Sequence, residues 1–307
     1  MRLAITGGCG FLGTNLARHM YEKAEITLID NLSRPGSRKN RNVLRNYQDI
    51  RILECDVRTY QDWKDHDAIV HLAGQVTVTG SLDDPVTDLE ENAVQTLRIL
   101  QDIKYTGIRF ILASTNKVYP SYPQTTPTDI EHRVGPECPY GISKTAADLY
   151  TQLYSRLGVS TVVLRQSCIY GPWQRPMLGQ GWVSWFIERI MGREMLTVFG
   201  DGRQQRDVLY VDDWCELMEV ILGVDVGGRV FNVGGGVRQV INLLDMIKVI
   251  EDVTGLTANW RFGDARMGDQ PTYISDLRHI KNELGWEPTV GVYDGVRRTV
   301  EWMKKSL

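Results

Sequence analysis

The sequence predicts an α/β protein built around a parallel β-sheet, and three observations carry that prediction. Through the first half of the chain, short β-branched runs alternate with longer stretches of helical period. A turn of closely spaced glycines, Gly7-Gly8-Cys9-Gly10 and then Gly13, joins the first run to the first helical stretch. Apolar residues make up 42% of the 307 residues, enough to cover such a sheet on both faces.

The elements follow in order. Leu3-Ala4-Ile5-Thr6 reads as the first strand, with a helix from about Phe11 to Tyr21 and a second strand at Ile26-Thr27-Leu28-Ile29. A third strand is expected from Ile50 to Leu53 and a fourth at Ala68-Ile69-Val70-His71-Leu72. Val86, Leu89, Ala93, Leu97 and Leu100 recur at three- and four-residue steps, which predicts one helix with a single apolar stripe. Phe110-Ile111-Leu112-Ala113 is the next strand. A polar, proline-rich loop from Tyr119 to Pro139 leads to a helix from about Tyr140 to Leu157 and the strand Thr161-Val162-Val163-Leu164. Beyond it the rhythm changes: seven of the eight tryptophans lie at or after Trp173, and the segments become short and mixed. The boundary is therefore expected near Gly171, with one domain over residues 1–171 and a smaller one over 172–307. Phe231-Asn232-Val233 is a candidate for returning to the sheet.

Charge is close to balance, with 35 Lys+Arg against 38 Asp+Glu and a net charge of -3. The pI is near 6.0. No basic surplus exists to hold nucleic acid phosphates, so nucleic acid is not an expected partner. No apolar run reaches the length of a membrane-spanning helix, and Arg2-Leu3-Ala4-Ile5 runs straight into glycines rather than into a secretory leader. The five cysteines are scattered and never form a C-x-x-C pair, so neither a disulfide framework nor a metal site is expected. A reducing cytoplasm suits them.

A glycine-spaced turn between a strand and a helix lets backbone approach a pyrophosphate at a helix N-terminus. Gly7, Gly10, Phe11, Leu12 and Gly13 are the candidate residues of that turn, which points to a dinucleotide and to a Rossmann-type, doubly wound sheet. Asp30 ends the second strand, where a carboxylate accepts hydrogen bonds from an adenosine ribose and repels a 2′-phosphate. NAD is thus expected over NADP. Arg34, Arg38, Lys39 and Arg41 follow closely and form the opposing case for a 2′-phosphate. Asn31, Ser33 and Arg34 belong to the same candidate set, as do Asp56 and Val57 after the third strand and Leu72-Ala73-Gly74-Gln75 after the fourth.

Tyr140-Gly141-Ile142-Ser143-Lys144 sets a phenol and an ammonium on one helix face. The hydroxyl of Thr115, at the end of the preceding strand, is placed to share a proton with the phenol. A nearby ammonium favours phenolate, making a usable general base. Tyr60-Gln61-Asp62-Trp63-Lys64 repeats the spacing without a partner hydroxyl and reads as a chance surface match.

These residues, together with His71 to Gly74, Asn92, Arg206-Asp207-Val208, Val211-Asp212-Asp213, Arg266-Met267-Gly268-Asp269 and Leu284 to Pro288, resemble the extended short-chain dehydrogenase/reductase family that acts on nucleotide sugars. The likeness covers nearly the whole chain. It implies an NAD-binding domain followed by a smaller α/β substrate domain, with the site in the cleft between them. It also implies a catalytic trio: Tyr140 as base, Lys144 as its electrostatic partner and cofactor-ribose ligand, and Thr115 as a substrate contact. By the same resemblance Arg206 and Arg266 hold the substrate diphosphate, and Asn92 and Gln180 join the substrate site. Trp182 and Trp185 read as core. Homodimers through the helices beginning near Pro85 and Tyr140 are common in the family.

In the family's dehydratases Thr115 would be followed by an Asp-Glu pair, and in its decarboxylases by a glutamate. Here Asn116-Lys117 follows, which disfavours both reactions and leaves epimerisation. The segments Ser114-Thr115-Asn116-Lys117 and Gln180-Gly181-Trp182-Val183 resemble the subfamily of CDP-tyvelose (CDP-paratose) 2-epimerases. Pro120 and Gly171-Pro172-Trp173 depart from its pattern. UDP-hexose 4-epimerisation and a non-catalytic nucleotide-binding role are the alternatives.

Overall fold

The computed structural model describes residues 1–121, 126–177, 179–266 and 269–306. Strands β1 (Arg2–Thr6), β2 (Glu25–Asp30), β3 (Ile50–Glu54), β4 (Ala68–His71), β5 (Arg109–Thr115) and β6 (Thr161–Gln166) join the strand Arg229–Val233 in one sheet. Among the described residues its order is Arg229–Val233, β6, β5, β4, β1, β2, β3. β1 pairs in parallel with both β2 and β4, and the parallel ladder continues to β3 on one side and β5 on the other. The chain thus winds outward from β1 and returns to its other flank, which makes the carboxyl end of β1 a topological switch point. The central strands are apolar on both faces, as a covered parallel sheet requires: Leu3, Ala4 and Ile5 are fully buried, and so are all four residues of β4.

Helices α1 (Phe11–His19), α2 (Ser37–Leu44), α3 (Val78–Asp83), α4 (Pro85–Leu89), α5 (Gln95–Ile103) and α6 (Pro139–Arg156) lie between these strands. The stretch expected as one striped helix differs in detail. Between α4 and α5 the backbone widens into a π-helical turn over Glu90–Val94, and this turns the apolar face. Val86 and Leu89 are exposed, whereas Ala93 and Leu100 are buried. The periodic count assumed a constant 3.6-residue turn, and the wider turn breaks that phase.

The chain divides into two compact units. The first comprises residues 1–119, 134–165 and 215–231, and the second residues 120–133, 166–214 and 232–307. The first has a core including Ile29, Trp63, Ile69, Phe110 and Leu112 between sheet and helices. The second is built on the strand Gln205–Tyr210, which pairs with Cys168–Tyr170, Val240–Asn242 and Thr272–Tyr273. Its core includes Phe186, Ile187, Val208, Met246 and Val300, with Trp182 and Trp185 packed against it. No helix among the described residues is long and apolar enough to cross a membrane.

A buried ion pair ties α6 to the sheet. Asp148 accepts from Arg165 Nε at 2.9 Å, from Ser114 Oγ at 3.0 Å and from Gln152 Nε2 at 2.5 Å, while Arg165 Nη1 donates to the Tyr119 hydroxyl at 2.9 Å. Burial opposes the Arg165 charge, but Asp148 and Tyr119 outweigh it and the guanidinium pKa is raised. Removing one partner of such a pair strands the other charge. Asp148→Ala is therefore expected to lower stability by about 3–5 kcal/mol in urea denaturation followed by circular dichroism. A loss as small as that of a surface pair would show that Arg165 finds water.

Candidate active site

The glycine turn follows β1 directly. Gly7 N–H donates to Ile29 O at 2.8 Å, Gly10 N–H to Gly7 O at 2.9 Å and Thr14 N–H to Gly10 O at 3.0 Å, so the loop folds back and delivers α1 at the switch point. At Gly13 there is no room for a side chain: a Cβ would lie 2.6 Å from Gly8 Cα and 2.7 Å from Gly7 O. The first turn of α1, with Phe11 and Leu12, carries no acidic residue and no side-chain cap. Its N–H groups and positive dipole end therefore remain available to an anion.

Asp30, at the end of β2, is tied into that turn. Its Oδ2 accepts from Cys9 N–H at 2.9 Å and its Oδ1 from Leu32 N–H at 2.7 Å. Burial raises the carboxyl pKa, with these backbone donors and Arg34 opposing. Arg34 is itself lowered by burial and feels the charges of Tyr140, Asp30 and Glu91, so it links the two ends of the candidate groove electrostatically. Arg41 and Arg38 are turned toward Glu54, at 2.6 and 4.0 Å. Asn31 and Ser33 are exposed, with Ser33 N–H donating to Asn31 Oδ1 at 3.1 Å.

Asp56 caps the turn Val57–Thr59 and pairs with Arg58 at 2.6 Å, whose hydrogen bond lowers its pKa; the Val57 carbonyl accepts from Gln95. After β4, Leu72 N–H and Ala73 N–H both donate to Thr6 Oγ1 at 3.2 Å, beside Gly74. Gln75 folds back on Thr77.

The catalytic candidates come together in the same unit. Thr115 ends β5 and Tyr140 and Lys144 stand one turn apart on α6, which is started by Pro139 and by Cys138 Sγ accepting from Gly141 N–H. Thr115 hydrogen-bonds the Tyr140 side chain. Tyr140 N–H donates to Ser81 Oγ at 3.0 Å, so α3 anchors the start of α6. The electrostatics differ from the simple expectation of an ammonium lowering a phenol. Burial pushes Tyr140 up to about 12, with Thr115 and Arg34 opposing, and pushes Lys144 down to about 8, with Asp88 and Asp148 opposing. Both groups are desolvated, and for each that cost exceeds the opposing effect of its neighbours. The second Tyr-x-x-x-Lys match lies apart: Tyr60 packs on Trp63 and its hydroxyl donates to Asp62 O at 3.3 Å.

Asn92 is 2% exposed, and its amide nitrogen is engaged by Asp88 and Ser143. Asp88, Ser143 and Ser81 were not singled out from sequence. The available signal was the four-residue step from Asp88 to Asn92. Gln180, Arg206 and Arg266 belong to the second unit. Arg206 pairs with Asp269, toward which Gln204 Nε2 also donates at 3.2 Å, and Arg266 stacks over Phe199 at 3.7 Å. Burial lowers the Arg266 pKa, with Asp269 opposing. Gln180 N–H donates to Met177 O just before the helix Trp182–Met191. Met267 and Gly268 of the Arg266-to-Asp269 motif lie outside the described residues.

A nucleotide-binding sheet with a Thr-Tyr-Lys trio at its carboxyl end defines a class, and the chain belongs to it: the NAD dependent epimerase/dehydratase family, whose profile matches residues 3–234. It is an extended short-chain dehydrogenase/reductase of the nucleotide-sugar epimerase and dehydratase group. More particularly, it is 34% identical to the CDP-paratose 2-epimerase of Salmonella typhi, over 98% of this chain and 99% of that one. It is 29% identical to the UDP-glucose 4-epimerase of Mycolicibacterium smegmatis over 100% and 99%. In structure it is similar to UDP-glucuronic acid 4-epimerase from Bacillus cereus, solved with UDP-glucuronic acid and NAD: the TM-score is 0.92 at 26% identity, with both chains covered completely.

NAD is the cofactor of this family, and the residues present fit it. The Gly13 contact leaves only backbone at the turn, the first turn of α1 is uncapped, and Asp30 is a buried carboxylate at the end of β2. Gly13→Ala is expected to weaken NAD binding by about tenfold or more, since a shift worth about 1.4 kcal/mol suffices. Isothermal titration calorimetry on the folded variant checks this; an unchanged affinity would place the dinucleotide elsewhere.

Proposed function

We propose that the protein is an NAD-dependent epimerase that inverts carbon 2 of a CDP-linked deoxyhexose through a 2-keto sugar. The observation that carries this reading is Asn116-Lys117 directly after Thr115, in the turn Asn116–Val118, where no carboxyl group stands to drive elimination or decarboxylation. The full-length likeness to a CDP-paratose 2-epimerase supports the choice of base and carbon.

In this reading Thr115 holds the reacting sugar hydroxyl against Tyr140, and the Tyr140 oxygen takes its proton. Because burial holds the phenol near 12, this step depends on positive charge in the pocket: Arg34 acts on Tyr140, and Lys144, one turn along α6, is assigned the same part. With a pKa near 8, Lys144 is mostly an ammonium at neutral pH. NAD bound at the glycine turn and Asp30 supplies the acceptor for the hydride leaving the carbinol carbon and the same hydride for its return. Tyr140 gives the proton back once the ketone presents its other face. Arg206 and Arg266 hold the diphosphate, as guanidinium groups suit bidentate phosphate recognition, and Gln180 and Asn92 complete the substrate set. Asp56, Val57, Leu72, Ala73, Gly74 and Gln75 line the cofactor. The five free thiols suit a cytoplasmic enzyme.

The full-length likeness to UDP-sugar 4-epimerases favours carbon 4 as the second reading. The deciding experiment is proton NMR of products after incubation with CDP-, GDP-, UDP- and dTDP-hexoses, CDP-paratose included. Inversion at carbon 2 of the CDP sugar is expected. Inversion at carbon 4 moves the function to the second reading, and no turnover by folded, NAD-loaded protein points to a binding role. Tyr140→Phe should lower turnover by about 10²–10⁴-fold while NAD still binds in calorimetry; near-normal turnover would remove Tyr140 as base.

We also propose a homodimer through α4 and α6. Val86, Leu89, Ile142, Leu149 and Leu153 are exposed on these two helices, an apolar stripe that a second copy of the same surface would cover. Light scattering after size exclusion should give twice the chain mass, and Leu149→Arg with Leu153→Arg should give a monomer. A monomeric parent protein would sink the assignment.

A further inference from the structure

Within the first unit, α4 and α6 are joined by a buried polar knot. Asp88 Oδ2 accepts from Ser143 Oγ at 2.5 Å, and its Oδ1 accepts from Asn92 Nδ2 at 3.1 Å; the same amide nitrogen donates to Ser143 Oγ at 3.1 Å. Asp88 is 0% exposed, Ser143 1% and Asn92 2%. Because an ionised carboxylate only accepts hydrogen bonds, Asp88 sets the amide: reversed, the Asn92 oxygen would face it. That oxygen is instead directed at Gly74, whose φ of +148° and lack of room for a Cβ against Asn92 Oδ1 both require glycine. The knot thus reaches from the loop after β4 to α6, and the π-helical turn carries Asn92.

Ser143 is the residue between Tyr140 and Lys144 on the knot's side of α6. Its Oγ also lies 3.1 Å from the Tyr140 carbonyl, while Ser81 holds the Tyr140 N–H. A carboxylate with no exposed surface is costly unless a positive charge answers it. The cation that acts on Asp88 is Lys144, which directly follows its hydrogen-bond partner Ser143 in the chain and is 8% exposed. The titratable groups acting on Lys144 are Asp88 from α4 and Asp148 one turn further along α6, while Lys144 itself acts on His71 from β4, which burial keeps neutral with a pKa pushed down to about 3. Asp88 outweighs Asp148 in favouring the ammonium; burial raises the Asp88 pKa, and Ser143, Lys144 and Asn92 oppose that rise by favouring the ionised carboxylate.

We propose that Asp88, acting through Ser143, is the positioning residue and counter-charge that keeps Lys144 protonated and fixed on the Tyr140 face of α6. The proposal rests on the reading of Lys144 as the working ammonium, and it assigns the α4 carboxylate a part in the chemistry without contact with substrate. Losing the negative charge favours neutral lysine, so the Lys144 pKa must fall. A fall of about one unit, the lower end of the effect of an adjacent opposite charge, leaves about a tenth of Lys144 charged at pH 8 instead of about half.

The test is a carbon-13 NMR titration of the full chain labelled at the lysine ε-carbons, with NAD bound and without, the Lys144 signal being assigned by its loss in Lys144→Arg. Asp88→Asn should lower the Lys144 midpoint by about one pH unit, and Asp88→Glu should restore most of it. Ser143→Ala, which leaves the carboxylate without its shortest bond, should shift it in the same direction by less. The alkaline limb of kcat/KM should move to lower pH by the same amount. A purely structural knot would lower the melting temperature and leave the midpoint unmoved, and that result in folded Asp88→Asn overturns the proposal. If Asp88→Asn does not fold, an unmoved midpoint in Ser143→Ala overturns it instead. The titration needs no sugar, so a shifted midpoint in a protein inactive on every CDP sugar would overturn the CDP-sugar reading and leave this one standing.

Discussion

The turn from β1 into α1 has no room for a side chain at Gly13, and the geometry at the carboxyl end of the sheet depends on that close approach. Only where backbone packs against backbone can α1 start immediately beyond β1 and present its free N–H groups at the point where strand order reverses. The same turn binds Asp30 through Cys9 N–H, so the carboxylate at the end of β2 and the helix N-terminus are set by one loop. An extra methyl group there would displace the loop, and the displacement would reach Asp30 as well as α1. The glycine turn, the start of α1 and Asp30 are therefore a single cooperative unit rather than a collection of contacts.

Desolvation is the second constraint. The sheet is covered on both faces, so the charged groups buried against it lose water, and the pairs among them stabilise one another. Asp148 answers Arg165, and Asp88 and Lys144 answer each other. This arrangement explains why the phenol and the ammonium shift in opposite directions, each toward its neutral form, when a mutual electrostatic effect alone would favour both charges. A phenol buried in this way is at rest in its protonated form, and serving as the proposed base would require added positive charge in the pocket.

The parts legible in the sequence are those whose chemistry is local. Spaced glycines between a strand and a helix, an acid at the end of the second strand, and Tyr-x-x-x-Lys after a strand ending in Thr115 each depend on residues close together in the chain, and the alternating pattern located the sheet strands to within a residue or two. What was not legible depends on pairs far apart. Asp88 and Ser143 are separated by 55 positions and meet only because α4 packs on α6. The π-helical turn shifts the phase of a stripe that the residue spacing alone presents as continuous, so exposed Val86 and buried Ala93 read alike in sequence. Pairing of Arg38 and Arg41 with Glu54, which bears on NAD against NADP, likewise required β3 to lie beside β2.

The trio Thr115, Tyr140 and Lys144 cannot by itself choose a carbon. Abstracting a hydroxyl proton makes the same demand at carbon 2 as at carbon 4, and likeness extends along the full chain to enzymes named for each. The choice must lie in groups that hold the rest of the nucleotide sugar. In the second unit of this chain Trp173 adopts φ of +66°, a left-handed conformation that costs a bulky residue of the order of 1–3 kcal/mol. Its ring packs edge-on against Trp302 at 5.3 Å, and Arg175 stacks on the Trp302 ring at 4.9 Å. Packing therefore holds the strained residue in place, within the segment Gly171-Pro172-Trp173 that departs from the subfamily pattern. Features particular to this chain thus occur in both units, Asn116-Lys117 beside the trio in the first and the strained Trp173 in the second, and the site rather than the fold must set the sugar.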